Sequence, residues 1–341
     1  MLSFANDYTV GAHPRVLERL TQTNMEAAPG YGADRFTENA KNLIRRTFGC
    51  EDWDVFFFTG GTQANSIIIS TLLRSYEGVI AATTGHITHM EAGAIEYTGH
   101  KVFELPSHEG KLDAAELRDY LELYRTDGNR MHMVCPGLVY ISWPTELGTL
   151  YSKQELTELH EICRAYGLPL FIDGARLGYG LMSPASDITA QELPALCDVF
   201  YIGGTKNGAL CGEAAVFSPG LMPPNYATAV KQHGALLAKG RLLGVQFEAL
   251  FEDGLYFELG RSAIEAAEAM KSVFWERGCR IWKSTPTNQQ FLIFENGEME
   301  RLKQRVSFGF WEKYDDTHTV CRFVTSWATT REHIKELRAL L

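Results

Sequence analysis

The stretch Tyr201-Ile-Gly-Gly-Thr-Lys-Asn-Gly-Ala-Leu-Cys-Gly212 decides how the rest of the chain is read. A strand-like run, Asp198-Val-Phe-Tyr-Ile202, leads into it, and Gly203, Gly204, Gly208 and Gly212 surround a single lysine. Glycines of this kind let a backbone bend tightly and approach a ligand closely. Lys206 meets no other charge along the chain until Glu213, so a solvated charge cluster does not account for it. An isolated amine in such a turn is suited to forming a carbon–nitrogen double bond with an aldehyde cofactor, while Thr205 can hydrogen-bond a phosphate. A plain surface turn with an exposed lysine has the same composition. What lies upstream separates the two.

Two further segments share the pattern of an apolar strand running into a polar turn. Val55-Phe-Phe-Phe58 leads into Thr59-Gly-Gly-Thr-Gln-Ala-Asn65 and then an apolar helix, Ser66 to Leu73. Strand, glycine turn and helix present free backbone N–H groups and a positive helix end to an anion. The segment is neither a Walker loop nor the dinucleotide fingerprint. Leu170-Phe-Ile172 ends in Asp173-Gly-Ala-Arg176. Around these three, strands are expected at 79–83, 101–105, 134–142 and 214–217, alternating with helices at 13–24, 35–48, 113–124 and 155–166. A helical segment is also expected to hold His86, His89 and Glu91, and Gly167 suits a left-handed cap after 155–166. Repeated βα units imply a mostly parallel sheet with helices on both faces and ligands at the carboxyl ends of the strands. Thr59–Thr62, Asp173–Arg176 and Gly203–Lys206 all fall at such ends.

Past Pro219 the texture changes. Long helices are expected at 226–251 and 260–277, then short strands at 279–282, 291–294 and 320–325, and a helix at 331–341. This is an α+β pattern, which divides the chain into a large domain, 1–254, and a small carboxy-terminal domain, 255–341.

Composition narrows the function class. The 341 residues carry 45% hydrophobic and 22% charged residues, an ordinary globular balance. A formal net charge of −10, uninterrupted by a basic cluster, argues against a nucleic-acid partner. No apolar run reaches the ~18 residues of a membrane span. Seven cysteines without a Cys-x-x-Cys pair read as reduced thiols. Met1-Leu-Ser-Phe-Ala-Asn-Asp-Tyr8 lacks the basic and apolar regions of a signal peptide, so the expected location is cytoplasmic.

Taken together, Thr59-Gly-Gly-Thr-Gln-Ala-Asn65, Asp173-Gly-Ala-Arg-Leu177, Gly204-Thr-Lys206 and Arg322-Phe-Val-Thr325 resemble, in content and order, the motifs of threonine aldolases. Asp7, Tyr31-Gly-Ala-Asp34, His86 with Glu91-Ala-Gly93, and Leu147-Gly-Thr-Leu150 extend the likeness over nearly the whole chain. The resemblance implies the fold-type-I architecture of pyridoxal-phosphate (PLP) enzymes: a mostly parallel large domain and a small α+β domain. It implies that Lys206 carries the cofactor and that Asp173 faces the pyridine nitrogen. Gly61, Thr62 and Thr205 would bind the phosphate, and His86 would stack on the ring. Arg176 would lie near the cofactor's phenolate oxygen or the substrate carboxylate. Arg322 would hold that carboxylate, with Asp7 and Tyr31 also on the substrate side. No metal is implied; His86-x-x-His89-x-Glu91 lacks further ligands at suitable spacing.

The implied reaction is cleavage of L-threonine, L-allo-threonine or a related β-hydroxy-α-amino acid to glycine and an aldehyde. β-Elimination and transamination on the same fold are the alternatives, followed by a PLP-binding protein without catalysis. Two departures from the family pattern bear on the base. Glu146 stands where better-known members carry a histidine, and Thr325-Ser326-Trp327 replaces Thr-His. His86, His89 and a water held by Glu146 are therefore all candidates for accepting the β-hydroxyl proton. The resemblance also implies a homodimer or homotetramer with shared active sites; Lys239-Gly-Arg241 would then reach a partner's phosphate or form a helix-end basic pair.

Overall fold

The structure, a computed structural model, describes residues Met1–Leu341. Seven strands form one sheet, in the spatial order Asp54–Phe58, Glu213–Phe217, Val199–Gly203, Leu170–Asp173, Cys135–Ser142, Glu77–Ala82 and Val102–Leu105. Glu213–Phe217 is antiparallel to both neighbours, and every other pairing is parallel. The parallel strands are buried on both faces, which explains their unbroken apolar runs. Ile172, Phe200 and Val216 pack on one face with Phe247 and Leu250, while Phe58, Tyr140 and Tyr201 pack on the other with Ile67 and Ile68.

Local chemistry fixes the helices on this frame. Asp34 caps Arg35–Phe48 by accepting from the Thr37 amide at 2.8 Å, and Gly49 closes it with φ +64°. Such a cap contributes about 1 kcal/mol. Lys153–Tyr166 opens with a Ser152/Glu155 capping box and closes at Gly167, φ +70°, the expected left-handed cap. Pro136 is tolerated inside its strand because the pairing shifts there: Gly78 faces Pro136, Val79 faces Leu138, and Gly137 bulges out.

Four expectations need correction. The helix after Phe58 begins at Gly61 rather than Ser66, because the glycine turn is its first turn. His86–His89 is a single helical turn that does not extend to Glu91; a second turn, Ala94–Tyr97, follows. The helix anticipated over 226–251 is two, Tyr226–Gln232 and Arg241–Phe251. Gly234 turns left-handed after the first, and a β-carbon on Gly240 would stand 2.6 Å from the Gly32 amide, so the break lets the 30–32 loop dock. The helix expected at 260–277 starts earlier, at Leu255, and runs to Glu276.

The carboxy-terminal strands form a separate antiparallel sheet, ordered Gly309–Lys313, His318–Val324, Gln289–Glu295 and Arg280–Lys283. Its core joins Met270, Phe274, Leu292 and Phe323 to Leu2 and Phe4. Leu2–Ser3 pairs in parallel with Val306–Ser307, so these first residues lie with the small sheet. The following segment then crosses toward the large one. No helix is long and apolar enough to cross a membrane.

Candidate active site

Three strand ends, one short helix and an inner strand of the small sheet bring their charged side chains together. At the first, Gly60 is the N-cap of helix Gly61–Leu72 and offers no side chain, so the first-turn amides have no side-chain partner. A β-carbon on Gly61 would sit 2.9 Å from the Tyr201 hydroxyl, which keeps this turn bare. The result is an amide-lined anion cup at a helix N-terminus. Thr62 is exposed at its rim.

At the second, Asp173 is 3% exposed and hydrogen-bonded from three directions. Its Oδ2 accepts from the Tyr140 hydroxyl at 2.6 Å and Asn65 Nδ2 at 3.0 Å, and its Oδ1 from the Ala175 amide at 3.0 Å. Burial opposes its charge, but His86 nearby and the bonds from Tyr140, Tyr201 and Asn65 hold its carboxyl below the ordinary aspartate value. A carboxylate kept charged in a dry setting is suited to pairing with a cationic ring nitrogen.

The third carries Lys206. Burial, with the Arg176 charge adding, pushes its amine below the ordinary lysine value; Asp7, Glu213 and Asp173 pull the other way. The loop is held by Tyr179, whose hydroxyl donates to the Lys206 carbonyl at 2.5 Å, and by Thr205, whose Oγ accepts from the Gly212 amide at 3.0 Å. Glu213, 4% exposed, accepts from the Gly204 amide at 3.1 Å. Burial pushes its carboxyl up to about 7, with Asp173 adding and Lys206 opposing.

His86 donates its backbone amide to Glu146 Oε1 at 2.9 Å, and its Nδ1 lies 2.8 Å from Glu91 Oε1. Glu91 is buried and also receives Asn65 Nδ2 at 2.8 Å. Burial disfavours the imidazolium, but Glu91, Asp173 and Glu146 together raise the His86 pKa. The same Glu146 oxygen accepts from Ser142 Oγ at 2.5 Å. Burial, reinforced by Asp173, raises the Glu146 carboxyl. His89 is exposed, and no group of three or more His, Cys, Asp or Glu is gathered for a metal.

The small sheet contributes Arg322. Its Nη1 donates to Gln289 Oε1 at 3.1 Å, its Nε has no partner, and it has no ion pair. Burial and the neighbouring Arg176 lower it to about 10. Arg176 is different: Asp7 takes its Nε at 2.7 Å and Nη2 at 3.1 Å. Asp7 also accepts from Asn288 Nδ2 at 2.9 Å. Both charges of that pair are satisfied within the chain, whereas Arg322 has no carboxylate partner.

Tyr31 does not join this group within one chain. It is half exposed, with φ +59°, beneath Lys231 and bonded to the Ala238 carbonyl. Arg241 is engaged by the Thr23 and Glu26 carbonyls of its own chain, and Lys239 is exposed. Sequence reasoning overlooked Tyr140, Ser142, Glu213, Asn288 and Gln289. Three left a signal: Glu213 is a lone charge heading an apolar strand, and Asn288 and Gln289 lie in the uncharged run Thr285-Pro-Thr-Asn-Gln-Gln290.

The family model described as beta-eliminating lyase matches residues 4–268. The chain belongs to that family. It is 31% identical to the low specificity L-threonine aldolase of a Pseudomonas species, over 98% of this chain and 96% of that one. It is similar to the solved structure of Leishmania major threonine aldolase at 42% identity and a TM-score of 0.95, covering 100% of this chain and 98% of that chain. Thermus thermophilus aspartate aminotransferase, at 14% identity and a TM-score of 0.71 over 100% of this chain and 90% of that one, shares the fold. The architecture is thus that of fold-type-I PLP enzymes. For a beta-eliminating lyase family member, the residues fit that cofactor: an amide cup for a phosphate, a buried charged Asp173 and an amine lowered by its surroundings.

Proposed function

We infer that this chain is a PLP-dependent lyase that cleaves L-threonine, L-allo-threonine or a closely related β-hydroxy-α-amino acid to glycine and an aldehyde. The observation that carries this reading is that Lys206 lies among Asp173, Asp7 and Arg176, with Arg322, which has no ion pair, beside the same Asp7 and Arg176. When bound, the cofactor supplies a conjugated sink for the electrons of a bond at the substrate's α carbon.

The chain's own residues do the rest. The Gly61 and Thr62 amides and the Thr205 hydroxyl would hold the phosphate, and Lys206 would attach the cofactor through its amine. Asp173 would keep a proton on the ring nitrogen, each pKa unit of that pairing being about 1.4 kcal/mol. His86 would lie against the ring face, steadied by Glu91. Arg322 would grip the α-carboxylate with its fork of donors, a geometry that turns the Cα–Cβ bond out of the ring plane. Asp7 would act by fixing Arg176 at the cleft edge. Glu146 is suited to take and return the β-hydroxyl proton: both of its bonds fall on Oε1, and burial raises its carboxyl above the ordinary glutamate value.

The reading extends to the whole protein. Residues 1–254 would carry the cofactor and 255–341 the carboxylate grip. A cytoplasmic homodimer or homotetramer is the form in which Tyr31 would serve as a substrate residue, since it would act on a neighbouring subunit.

The test is to load the protein with PLP, add threonine or allo-threonine, and assay glycine and acetaldehyde. A second reading, β-elimination, is favoured by the family's description; it would yield ammonia and a keto acid. Dependence on a keto-acid co-substrate would indicate transamination. The cofactor's visible absorbance band should vanish in Lys206→Ala. If no band forms in the unmodified protein with added PLP, all of these enzyme readings fall.

A further inference from the structure

The segment Thr285–Gln290 buries five uncharged polar side chains, a costly choice unless each is bonded. Thr285 accepts from Gln290 and donates to the Gln289 carbonyl, Thr287 donates to the Gly148 carbonyl, and Asn288 bonds Asp7 and the Thr325 carbonyl. Gln289 alone joins two groups of the site. Its Oε1 accepts from Arg322 Nη1 at 3.1 Å, and its Nε2 lies 3.4 Å and 3.5 Å from the carbonyls of Glu146 and Thr145. It is fully buried, on the first residue of its strand, with Val324 as register partner.

We propose that Gln289 is a positioning residue that aims Arg322 at the substrate α-carboxylate while leaving its charge uncompensated, and that ties this guanidinium to the loop carrying Glu146. The inference rests on the aldolase reading. The physical case concerns charge. A buried guanidinium needs an acceptor to be oriented, yet an acidic acceptor would neutralise it and compete with the substrate. The nearby acid, Asp7, is already spent on Arg176. A neutral amide oxygen orients without neutralising, and the same amide's nitrogen reaches the loop at the substrate's β end. One side chain thereby sets the spacing between the two ends of a bound amino acid.

The experiment compares PLP-loaded wild type with Gln289→Glu and Gln289→Met. Spectroscopic titration measures affinity for glycine, which has the carboxylate, and for methylamine, which lacks it. Steady-state kcat and KM for threonine are measured alongside. Gln289→Glu should weaken glycine by about thirtyfold, because Arg322 gains a competing internal carboxylate, and change methylamine by less than about threefold. Gln289→Met should weaken glycine by roughly fivefold to tenfold with methylamine again spared, and should lower kcat as well as raise KM because the Glu146 loop loses its tether. If Gln289→Glu does not fold, Gln289→Met carries the same sign. Equal losses for both amines, or unchanged glycine affinity, overturn the assignment of Gln289. A wild type that responds to neither amine overturns the aldolase reading itself, and this proposal with it.

Discussion

Arg176 closes on Asp7 through two bonds, 2.7 Å from Nε and 3.1 Å from Nη2, with the Asp7 side chain wholly buried. Burial works against the Asp7 charge, but Arg176, Lys206 and Asn288 hold its carboxyl below the ordinary value. The pair sets which arginine is free: Arg176 is matched and Arg322 is not.

Asp7→Asn should therefore do more than remove a contact. It leaves a buried guanidinium beside Lys206 and Arg322, and breaking such a pair typically costs about 3–5 kcal/mol. A lowered urea midpoint together with weaker retention of PLP is the expected result. Unchanged stability would mean that Arg176 finds water instead.

Replacing Arg322 with lysine keeps the charge but loses the fork. The KM for threonine should rise by about tenfold to a hundredfold, and kcat should also fall because the carboxylate is no longer oriented. A rise in KM alone would show simple charge attraction.

Glu146→Gln tests the proton assignment. Loss of a general base costs about 10²–10⁴ in kcat. His86→Phe keeps a flat ring and gives up the Glu91 bond and one of several groups that keep Asp173 charged, so its loss should be smaller. Assays on threonine and allo-threonine with both variants check this; the reverse order of severity would move the proton to His86.

Glu213 gives a pH prediction. Its carboxyl is raised to about 7 in the folded protein against 4.5 ordinarily. Between these values the folded chain keeps a proton that the unfolded chain has released, so stability falls as pH rises from 4.5 to about 7 and is level above. Glu213→Gln removes that dependence. The stability of the variant relative to wild type should grow by about 3 kcal/mol between pH 4.5 and pH 8, read by urea unfolding of the cofactor-free protein.

Much of the large sheet was legible because its strands are short apolar runs ending in glycine turns, a pattern that buried parallel strands impose. Lys206 and Asp173 stood out for the same reason: each is a lone charge where an apolar strand stops. The helix over 226–251 was misread because Gly234 and Gly240 sit in an Ala- and Leu-rich stretch, and only the docked 30–32 loop reveals why the chain must break there. Gly309–Lys313 was missed because it is the exposed edge strand, where alternation is weak. The Asp7–Arg176 pair is 169 positions apart, and the Gln289 bridge reaches 33 and 143, so no local pattern could reveal either.

The pairing of Leu2–Ser3 with Val306–Ser307 has a bearing on the order of folding. These two segments lie 304 positions apart, so their pairing closes a very long loop, and such distant contacts are reached slowly. Asp7, four residues beyond that strand, can be anchored only afterwards. In a refolding chain the lysine loop would thus form while Arg176 still lacks its counterion, which would arrive only with the small sheet.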